Sequence, residues 1–217
     1  MKSIIIGAGK YGEVYLSYLK EANIDVIGFL DDDPNIQNMK FGGIPVLGPV
    51  SIMPTLKTQY GIEAVYCPLG NNRLRVAFLK QAREYGYQTP NYIHPDVKIS
   101  PDVNIAEEGV YILGNTYIMP HVSIEKDVMI SVGANIIHHT VLQQGVFISN
   151  GVNLGASITA EEYAYIGMGS TIMTGVKILG KDCLIGAGAV VIRDVPVGAV
   201  MAGIPAKVIK YKPEYNK

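Results

Sequence analysis

Aliphatic side chains return at every sixth position through the second half of this chain, from Ile93 to Val190. Only Ala160 among these seventeen positions is not Ile, Leu or Val, and the series slips once by one residue, between Ile105 and Ile112. A period of six fits neither a helix nor a flat strand, and a fixed short period is typical of a solenoid. The inward positions are predicted to be 93, 99, 105, 112, 118, 124, 130, 136, 142, 148, 154, 160, 166, 172, 178, 184 and 190.

Three sides of six residues close a triangular coil of eighteen residues, with one short strand on each side. Seventeen such sides make about 5.7 coils, each hydrogen-bonded only to its neighbours. Smaller residues often stand two places before the large aliphatic one, as Val122, Val128 and Ala134 do. We expect these to be a second inward layer near each corner of an all-β parallel β-helix.

The first ninety residues follow different rules, because short aliphatic strands alternate there with helical stretches. This alternation predicts an α/β domain with a parallel, Rossmann-like sheet. The boundary is expected where Pro90 and Pro95 bracket Ile93, which gives domains 1–90 and 91–217. The predicted strands cover 3–6, 25–30 and 63–67, and a turn with a short strand is predicted within 42–47. One predicted helix ends near 22 and another covers 73–85.

A glycine-rich turn, Gly7-x-Gly9-x-x-Gly12, joins the first strand to the first helix. In that context glycines let the backbone approach a phosphate, whose charge then faces the helix N-terminus. Asp31 and Asp32 end the next strand, where a ribose or base contact is made. The same turn also occurs as a plain tight connection. A domain of about ninety residues favours a mononucleotide over NAD.

Composition excludes several classes of partner. The formal net charge is −1 without a basic stretch, so nucleic acid is not expected as a partner. No apolar run approaches the length of a membrane span, and the N-terminal residues lack the features of a signal peptide. Cys67 and Cys183 lie far apart and indicate free thiols in a reducing cytoplasm.

Four histidines are the candidate catalytic or metal-binding side chains: His94, His121, His138 and His139. His94 lies beside Pro95 and is interpreted as structural. His121 precedes His139 by eighteen residues, so the two should stack on one edge of the solenoid. No metal site is expected, because no carboxylate or cysteine joins them at neighbouring coil positions. His138 and His139 are expected at a corner outside the core, where they could also be inert.

The chain resembles one bacterial family over nearly its whole length: hexapeptide-repeat acyltransferases with a small N-terminal nucleotide-binding domain. This family includes the sialic-acid O-acetyltransferases and the UDP-4-amino-sugar N-acetyltransferases. The matching segments are 7–12 (GAGKYG), 29–32 (FLDD), 69–75 (LGNNRLR), 137–139 (IHH), 166–169 (IGMG) and 203–208 (GIPAKV). The hexads alone indicate an acyltransferase only loosely, whereas their combination with the glycine turn and the GNNxxR segment is more specific.

The resemblance implies a left-handed β-helix, a homotrimer, and acetyl-CoA bound in the groove between two solenoids. It implies that His138 is the general base that takes a proton from a sugar amine or hydroxyl, with His139 beside it. The residues implied to bind the nucleotide sugar are Gly9, Lys10, Tyr11, Asp31, Asp32, Gly70 and Asn71. Those implied to bind acetyl-CoA are Phe147, Ala156, Met168 and Gly186, near the Pro205–Lys207 tail.

Three positions depart from the family pattern. His139 stands where a carboxylate usually follows the base, so no fixed negative charge adjoins His138. Phe147 replaces a histidine that often contacts the cofactor, and it can pack against CoA without hydrogen bonding. Tyr11 replaces a histidine often found in the glycine turn near the substrate.

Three functions remain open at this point. The leading one is acetyl-CoA-dependent acetylation of the amino group of a nucleotide-linked sugar. The alternatives are O-acetylation of a sialic acid or related sugar, and a non-catalytic trimer that binds a sugar nucleotide. A zinc-dependent hydratase of the same solenoid class is disfavoured, because it would need three histidines meeting between subunits and only His121 and His139 stack.

Overall fold

The computed structural model describes residues 1–216, which fall into two compact units. The first covers Met1–Asn91, and the second begins at Tyr92. The first unit is an α/β domain whose five-stranded sheet has the order β3-β4-β2-β1-β5. Its elements are β1 (Lys2–Ile6), α1 (Lys10–Glu21), β2 (Asp25–Leu30), β3 (Lys40–Phe41), β4 (Ile44–Gly48), α2 (Met53–Tyr60), β5 (Ala64–Tyr66) and α3 (Asn72–Glu84).

Strands β1, β2, β4 and β5 run parallel, and β3 joins β4 as a short antiparallel hairpin. The aliphatic run of β1 explains its central place, since Ile4, Ile5 and Ile6 are at most 1% exposed. The sequence did not predict α2, which follows a short 3-10 turn and ends at Gly61 in the left-handed conformation (φ 67°). The turn and short strand predicted within 42–47 are confirmed as a turn through Gly42 and Gly43 followed by β4.

The glycine turn is required by close packing. A Cβ on Gly12 would lie 2.0 Å from the carbonyl oxygen of Gly7, which no side chain tolerates. Gly7 itself has φ 98°, a conformation that other residues rarely adopt. Helix α1 can therefore begin directly behind β1 only with glycine at both positions.

The second unit is a parallel β-helix built of two-residue strands. Each strand pairs with the strand one coil later, as Tyr117–Ile118 pairs with Asn135–Ile136. The strands form three sheets, one on each side of the triangle, and successive strands join them in turn. The first sheet begins with Lys98–Ile99, the second with Asn104–Ile105 and the third with Tyr92–Ile93.

The short strands follow one another around the triangle in chain order. They are β6 (Tyr92–Ile93), β7 (Lys98–Ile99), β8 (Asn104–Ile105), β9 (Tyr111–Ile112), β10 (Tyr117–Ile118), β11 (Ser123–Ile124), β12 (Met129–Ile130), β13 (Asn135–Ile136), β14 (Val141–Leu142), β15 (Phe147–Ile148), β16 (Asn153–Leu154), β17 (Thr159–Ala160), β18 (Tyr165–Ile166), β19 (Thr171–Ile172), β20 (Ile178–Leu179), β21 (Leu184–Ile185) and β22 (Val190–Val191). A longer antiparallel pair, β23 (Ala199–Gly203) and β24 (Ala206–Tyr211), ends the third sheet.

The core of the solenoid lies inside the triangle, as the six-residue period predicted. The inward aliphatic residues from Ile112 to Ile172 are at most 2% exposed, and so are the smaller residues two places earlier, such as Val128 and Ala134. Ile93 and Ile99 in the first coil remain 37% and 40% exposed. That coil pairs with a neighbouring coil on one side only.

The last three predicted inward positions are wrong, because a second one-residue slip follows Ile172. The inward residues there are Leu179, Ile185 and Val191, all 0% exposed, whereas Ile178 is 42% exposed. Leu184 and Val190 are only partly buried. Each of these strands is an aliphatic doublet, so the sequence pattern fits both registers equally well. The extra residue lies in the turn at 173–177, where Thr174 and Val176 form an isolated bridge.

Candidate active site

Each coil turns from the first sheet to the second at a corner that we call the histidine corner, made of residues 101–102, 120–121, 138–139, 156–157 and 174–175. The second residue of three successive turns has a positive φ: His121 (62°), His139 (59°) and Ser157 (56°). This repeated left-handed conformation places equivalent residues of successive coils above one another. The corner is therefore a column of turns, and its side chains point away from the core.

Three histidines meet in this column. The Nδ1 atoms of His138 and His139 lie 3.0 Å apart, within hydrogen-bonding distance. Their rings are perpendicular, with centroids 5.1 Å apart. The rings of His121 and His139 lie 4.6 Å apart at 47°, which confirms the stacking predicted from their spacing. All three side chains are exposed.

The backbone that carries these histidines is fixed from both neighbouring coils. The His139 amide donates to the carbonyl oxygen of Pro120 (3.3 Å), and the His138 carbonyl accepts from the Ser157 amide (3.0 Å). Two residues earlier, the Ile136 side chain is fully buried in the core. The turn is thus held by the ladder and by the core, without use of the imidazole rings.

The residues implied to bind acetyl-CoA fall into two groups on the solenoid. Ala156 lies at the histidine corner, and its amide donates to the Thr174 hydroxyl (3.1 Å). Phe147 lies on β15 in the third sheet and stacks face to face on Tyr165, with centroids 4.9 Å apart and planes at 2°. It is 5% exposed, while Ile148 beside it points into the core.

Met168 and Gly186 belong with Phe147 rather than with Ala156. They lie where the chain turns from the third sheet to the first, and the Gly188 amide donates to the Met168 carbonyl (2.8 Å). The Met168 side chain is 56% exposed. In a triangular coil the histidine corner is opposite the third sheet. One solenoid therefore does not bring His138 together with Phe147.

The first unit contains a cavity of about 250 Å³ at the carboxyl ends of β1 and β2. This edge of a parallel sheet is where α/β domains bind their ligands. Asp31 and Asp32 line it, whereas the predicted residues Gly9, Lys10, Tyr11, Gly70 and Asn71 do not. Its walls are Ile6, Gly7, Leu30, Asp31, Asp32, Val50, Leu69, Leu74 and Phe78.

The two aspartates also hold the loops around this cavity. Asp31 accepts hydrogen bonds from the amides of Ala8 (2.8 Å) and Asp33 (2.9 Å). Asp32 accepts from the amide of Val50 (2.8 Å). Each carboxylate has room for further donors, because two oxygens offer about four acceptor sites.

The remaining predicted nucleotide-sugar residues lie around the glycine turn and the start of α3. Gly9 is the N-cap of α1, Lys10 and Tyr11 open that helix, and the Tyr11 ring packs edge-on against Tyr15 at 5.3 Å. Gly70 adjoins the cavity residue Leu69 in sequence. The Asn71 side chain caps α3 by accepting from the Leu74 amide (3.1 Å).

The apolar cavity residues Leu69, Leu74 and Phe78 were not predicted as part of a site. Their spacing on and before α3 also fits a helix face packed on the sheet. The sequence signals for this cavity were the glycine turn that begins at Gly7 and the two aspartates after β2, Asp31 and Asp32.

Both cysteines are shielded from solvent. Cys67 and Cys183 are fully buried, and burial raises the pKa of the Cys183 thiol to about 12. A thiol in that state is not ionised near neutral pH and does not react. Histidine, by contrast, has an acid–base chemistry that suits proton transfer near neutral pH.

Residues 1–216 contain no cluster of three or more His, Cys, Asp or Glu side chains arranged to hold a metal ion. Among the same residues, no helix has the length and apolar character needed to span a bilayer.

Comparison with known proteins places these features in context. Residues 2–82 match the PglD N-terminal domain model. A variant of GDP-perosamine N-acetyltransferase from Caulobacter crescentus, solved with CoA and GDP-perosamine, superposes with a TM-score of 0.90 at 30% identity and 97% coverage of both chains. The acetyltransferase domain of PglB from Neisseria gonorrhoeae, solved with acetyl coenzyme A, gives 0.86 at 28% identity over 96% of this chain and 98% of that one.

A shorter match involves 2,3,4,5-tetrahydropyridine-2,6-dicarboxylate N-acetyltransferase from Staphylococcus aureus, which is 47% identical over 57 residues. The matched segment spans 26% of this chain and only 23% of that relative.

An α/β domain followed by a left-handed parallel β-helix of eighteen-residue coils defines a hexapeptide-repeat acyltransferase. The full-length likeness at 30% identity and the match to the N-terminal domain model make the assignment more specific. The chain belongs to the family of hexapeptide-repeat acyltransferases that carry a PglD-type N-terminal domain.

Proposed function

We propose that this protein transfers the acetyl group of acetyl-CoA to the amino group of a nucleotide-linked amino sugar, with His138 as the general base. The observation that carries the proposal is the exposed His138–His139 pair at the histidine corner, on a solenoid that superposes on a sugar N-acetyltransferase along its whole length. Two crystallised forms of that relative carry alanine or asparagine in place of one histidine and hold CoA and GDP-perosamine.

The reaction needs no acyl-enzyme, because the thioester is already activated. The amine lone pair attacks the thioester carbonyl carbon and forms the C–N bond. The Nε2 atom of His138 takes one proton from the amine as the attack proceeds. The C–S bond then breaks, and the CoA thiolate leaves and takes up a proton, which His138 can return. Donors that face the carbonyl oxygen would stabilise the charge that develops there.

The complete site requires more than one copy of the chain, and a homotrimer supplies it. Phe147, Met168 and Gly186 lie on the third sheet and its following corner, whereas His138 and Ala156 lie at the opposite corner. Acetyl-CoA can contact both groups only in a groove between two solenoids. Light scattering should therefore give three chain masses at micromolar concentration, and a monomer that retains full activity would contradict this arrangement.

The nucleotide end of the acceptor is proposed to bind the first unit. The cavity behind the Gly7–Gly12 turn is lined by Asp31 and Asp32, whose free acceptor sites suit ribose hydroxyls or base N–H groups. Its volume of about 250 Å³ accommodates part of a nucleotide rather than a dinucleotide. Gly9, Lys10 and Tyr11 would face phosphate and sugar, and Gly70 and Asn71 would close the pocket. Calorimetry should detect a nucleotide sugar and no NAD.

The proposed location of the protein is the cytoplasm. The two buried cysteines remain free thiols, which is the state kept by a reducing compartment.

The direct test is an acetylation assay. Purified protein is incubated with acetyl-CoA and a panel of nucleotide sugars that carry an amine or only hydroxyls, GDP-perosamine among them, and thiol release is followed. Release that depends on an amino sugar, together with an acetylated product in the mass spectrum, supports the proposal. Release with hydroxyl sugars alone would indicate O-acetylation, and saturable nucleotide-sugar binding without any thiol release would indicate a non-catalytic binding protein.

A further inference from the structure

The contact between His138 and His139 constrains where protons can reside. Two imidazole Nδ1 atoms at 3.0 Å are stable only when one of them carries the shared proton. Two arrangements satisfy this condition. Either His138 Nδ1–H donates to His139, or His139 Nδ1–H donates to His138. The two differ in what remains at the Nε2 atom of His138.

Only the first arrangement gives a base. If His138 donates through Nδ1, its Nε2 carries a lone pair and can take up a proton. If His138 instead accepts at Nδ1, a neutral ring must carry its proton on Nε2 and cannot take another there. In the first arrangement the imidazolium that forms during the reaction also donates a charge-assisted hydrogen bond to His139, which stabilises it.

We infer that His139 is a positioning residue that selects the Nδ1–H tautomer of His138 by accepting this proton, and that a neutral imidazole thus performs the role of a carboxylate. His121 supports His139 in this role, because the His121 ring packs on the His139 ring at 4.6 Å and restricts its plane. This inference rests on the proposed function, since it assigns the tautomer needed by a base at His138.

The surroundings of the pair are consistent with this role. In the described part of the histidine corner, the titratable side chains are Asp102, His121, His138 and His139. The two coils that follow contribute Ala156, Ser157, Thr174 and Gly175, which carry no charge. Asp102 stands two coils before His139, so no carboxylate of this corner adjoins the pair. A neutral acceptor at His139 is the available substitute.

The tautomers can be read directly without substrate. Protein with ¹⁵N-labelled histidine gives long-range ¹H–¹⁵N spectra in which each ring nitrogen is assigned as protonated or bare. The four histidines are assigned by the single variants His94→Gln, His121→Gln, His138→Gln and His139→Gln. At a pH where the rings are neutral, His138 should show Nδ1–H with a bare Nε2, and His139 should show Nε2–H. His138 with Nε2–H would overturn the inference.

Kinetics provide the second readout. His139→Gly removes the acceptor at a position whose φ of 59° suits glycine, so kcat should fall about two- to tenfold, the worth of one hydrogen bond, with little change in KM. His139→Glu restores an acceptor and adds a charge that favours the protonated form of His138. Its kcat should equal or exceed that of the wild type, and the acid limb of its pH–rate profile should move to higher pH.

Asn115→Gly is the matched control, because Asn115 has a similar φ of 56° at another corner and bears no imidazole. A purely structural role for His139 would give a His139→Glu variant no better than His139→Gly and no shift of the acid limb. Such a result would sink the inference. Failure of the proposed base is a separate outcome, recognised by a His138→Ala variant that retains full activity.

Discussion

The two units of this protein support their candidate binding residues in different ways. In the solenoid, the turn that carries His138 and His139 is held by hydrogen bonds to the coils before and after it and by Ile136 in the core. In the first unit, Asp31 and Asp32 line the cavity and also accept the backbone hydrogen bonds that order its loops.

In the solenoid, the residues proposed for chemistry are not those that stabilise the fold. In the first unit, the same aspartates serve both binding and stability. A side chain at a solenoid corner can change with little effect on folding, because neighbouring coils determine the backbone. An aspartate in the cavity cannot change without loosening the glycine turn or the loop at Val50. The departure from the family pattern at His139, an exposed corner residue of the solenoid, is consistent with that freedom. The departures at Phe147, on a strand, and at Tyr11, in the glycine turn of the first unit, lie outside these corners.

The largest effect should come from His138→Ala. Removal of a general base lowers kcat by roughly 10²–10⁴-fold. The melting temperature should change little, since the ring is exposed at a corner outside the core. Steady-state rates test the loss of kcat, and thermal unfolding of the same preparation tests the unchanged melting temperature. If His139→Ala were inactive while His138→Ala kept its rate, the base would be the neighbouring residue.

The next effect tests the second slip of the solenoid. Leu179→Ala removes a fully buried side chain and should lower the free energy of unfolding by about 2–5 kcal/mol. Ile178→Ala, its neighbour at 42% exposure, should cost far less. Chemical denaturation of the pair decides between the registers. Equal losses, or a larger loss at Ile178, would restore the uninterrupted six-residue spacing.

The solenoid register shows how much of the fold could be predicted from the sequence. The period of six predicted the solenoid, its inward layer and the stack of His121 on His139, because every coil repeats the same local contacts. It failed after Ile172, where strands such as Ile178–Leu179 are aliphatic on both faces. The short helix Met53–Tyr60 was missed in the first unit, since eight residues with Pro54 near the start give little periodic signal.

The candidate sites, like the fold, could be predicted from the sequence only in part. The position of His138 outside the core could be read from its distance to Ile136. The Nδ1 contact between His138 and His139 could not, because it depends on side-chain rotamers. The apolar wall of the cavity, including Leu69, comes from segments distant in sequence, and no local pattern records which of their faces stays open.

Coupling between binding and folding should appear in Asp31→Ala. This variant loses acceptors for the Ala8 and Asp33 amides, which should lower the free energy of unfolding by about 1–3 kcal/mol. It should also abolish nucleotide-sugar binding in calorimetry, whereas His138→Ala should bind normally. An Asp31→Ala protein as stable as the wild type would show that this unit, too, separates its binding residues from its support.

The smallest effect concerns the aromatic pair on the third sheet. Phe147 and Tyr165 stack at 4.9 Å, and such a pair contributes about 0.5–1.5 kcal/mol beyond its buried area. A double-mutant cycle of Phe147→Leu and Tyr165→Leu, followed by denaturation, should give a coupling free energy in that range.

Phe147 is also proposed to pack against CoA, so Phe147→Leu should raise the KM for acetyl-CoA while kcat is retained, because the base at the histidine corner is untouched. Tyr165→Leu serves as the control for the loss of stacking alone. If both variants raised KM equally, the effect would come from the stack, and if kcat fell with Phe147→Leu, this face would contribute to the chemical step as well as to binding.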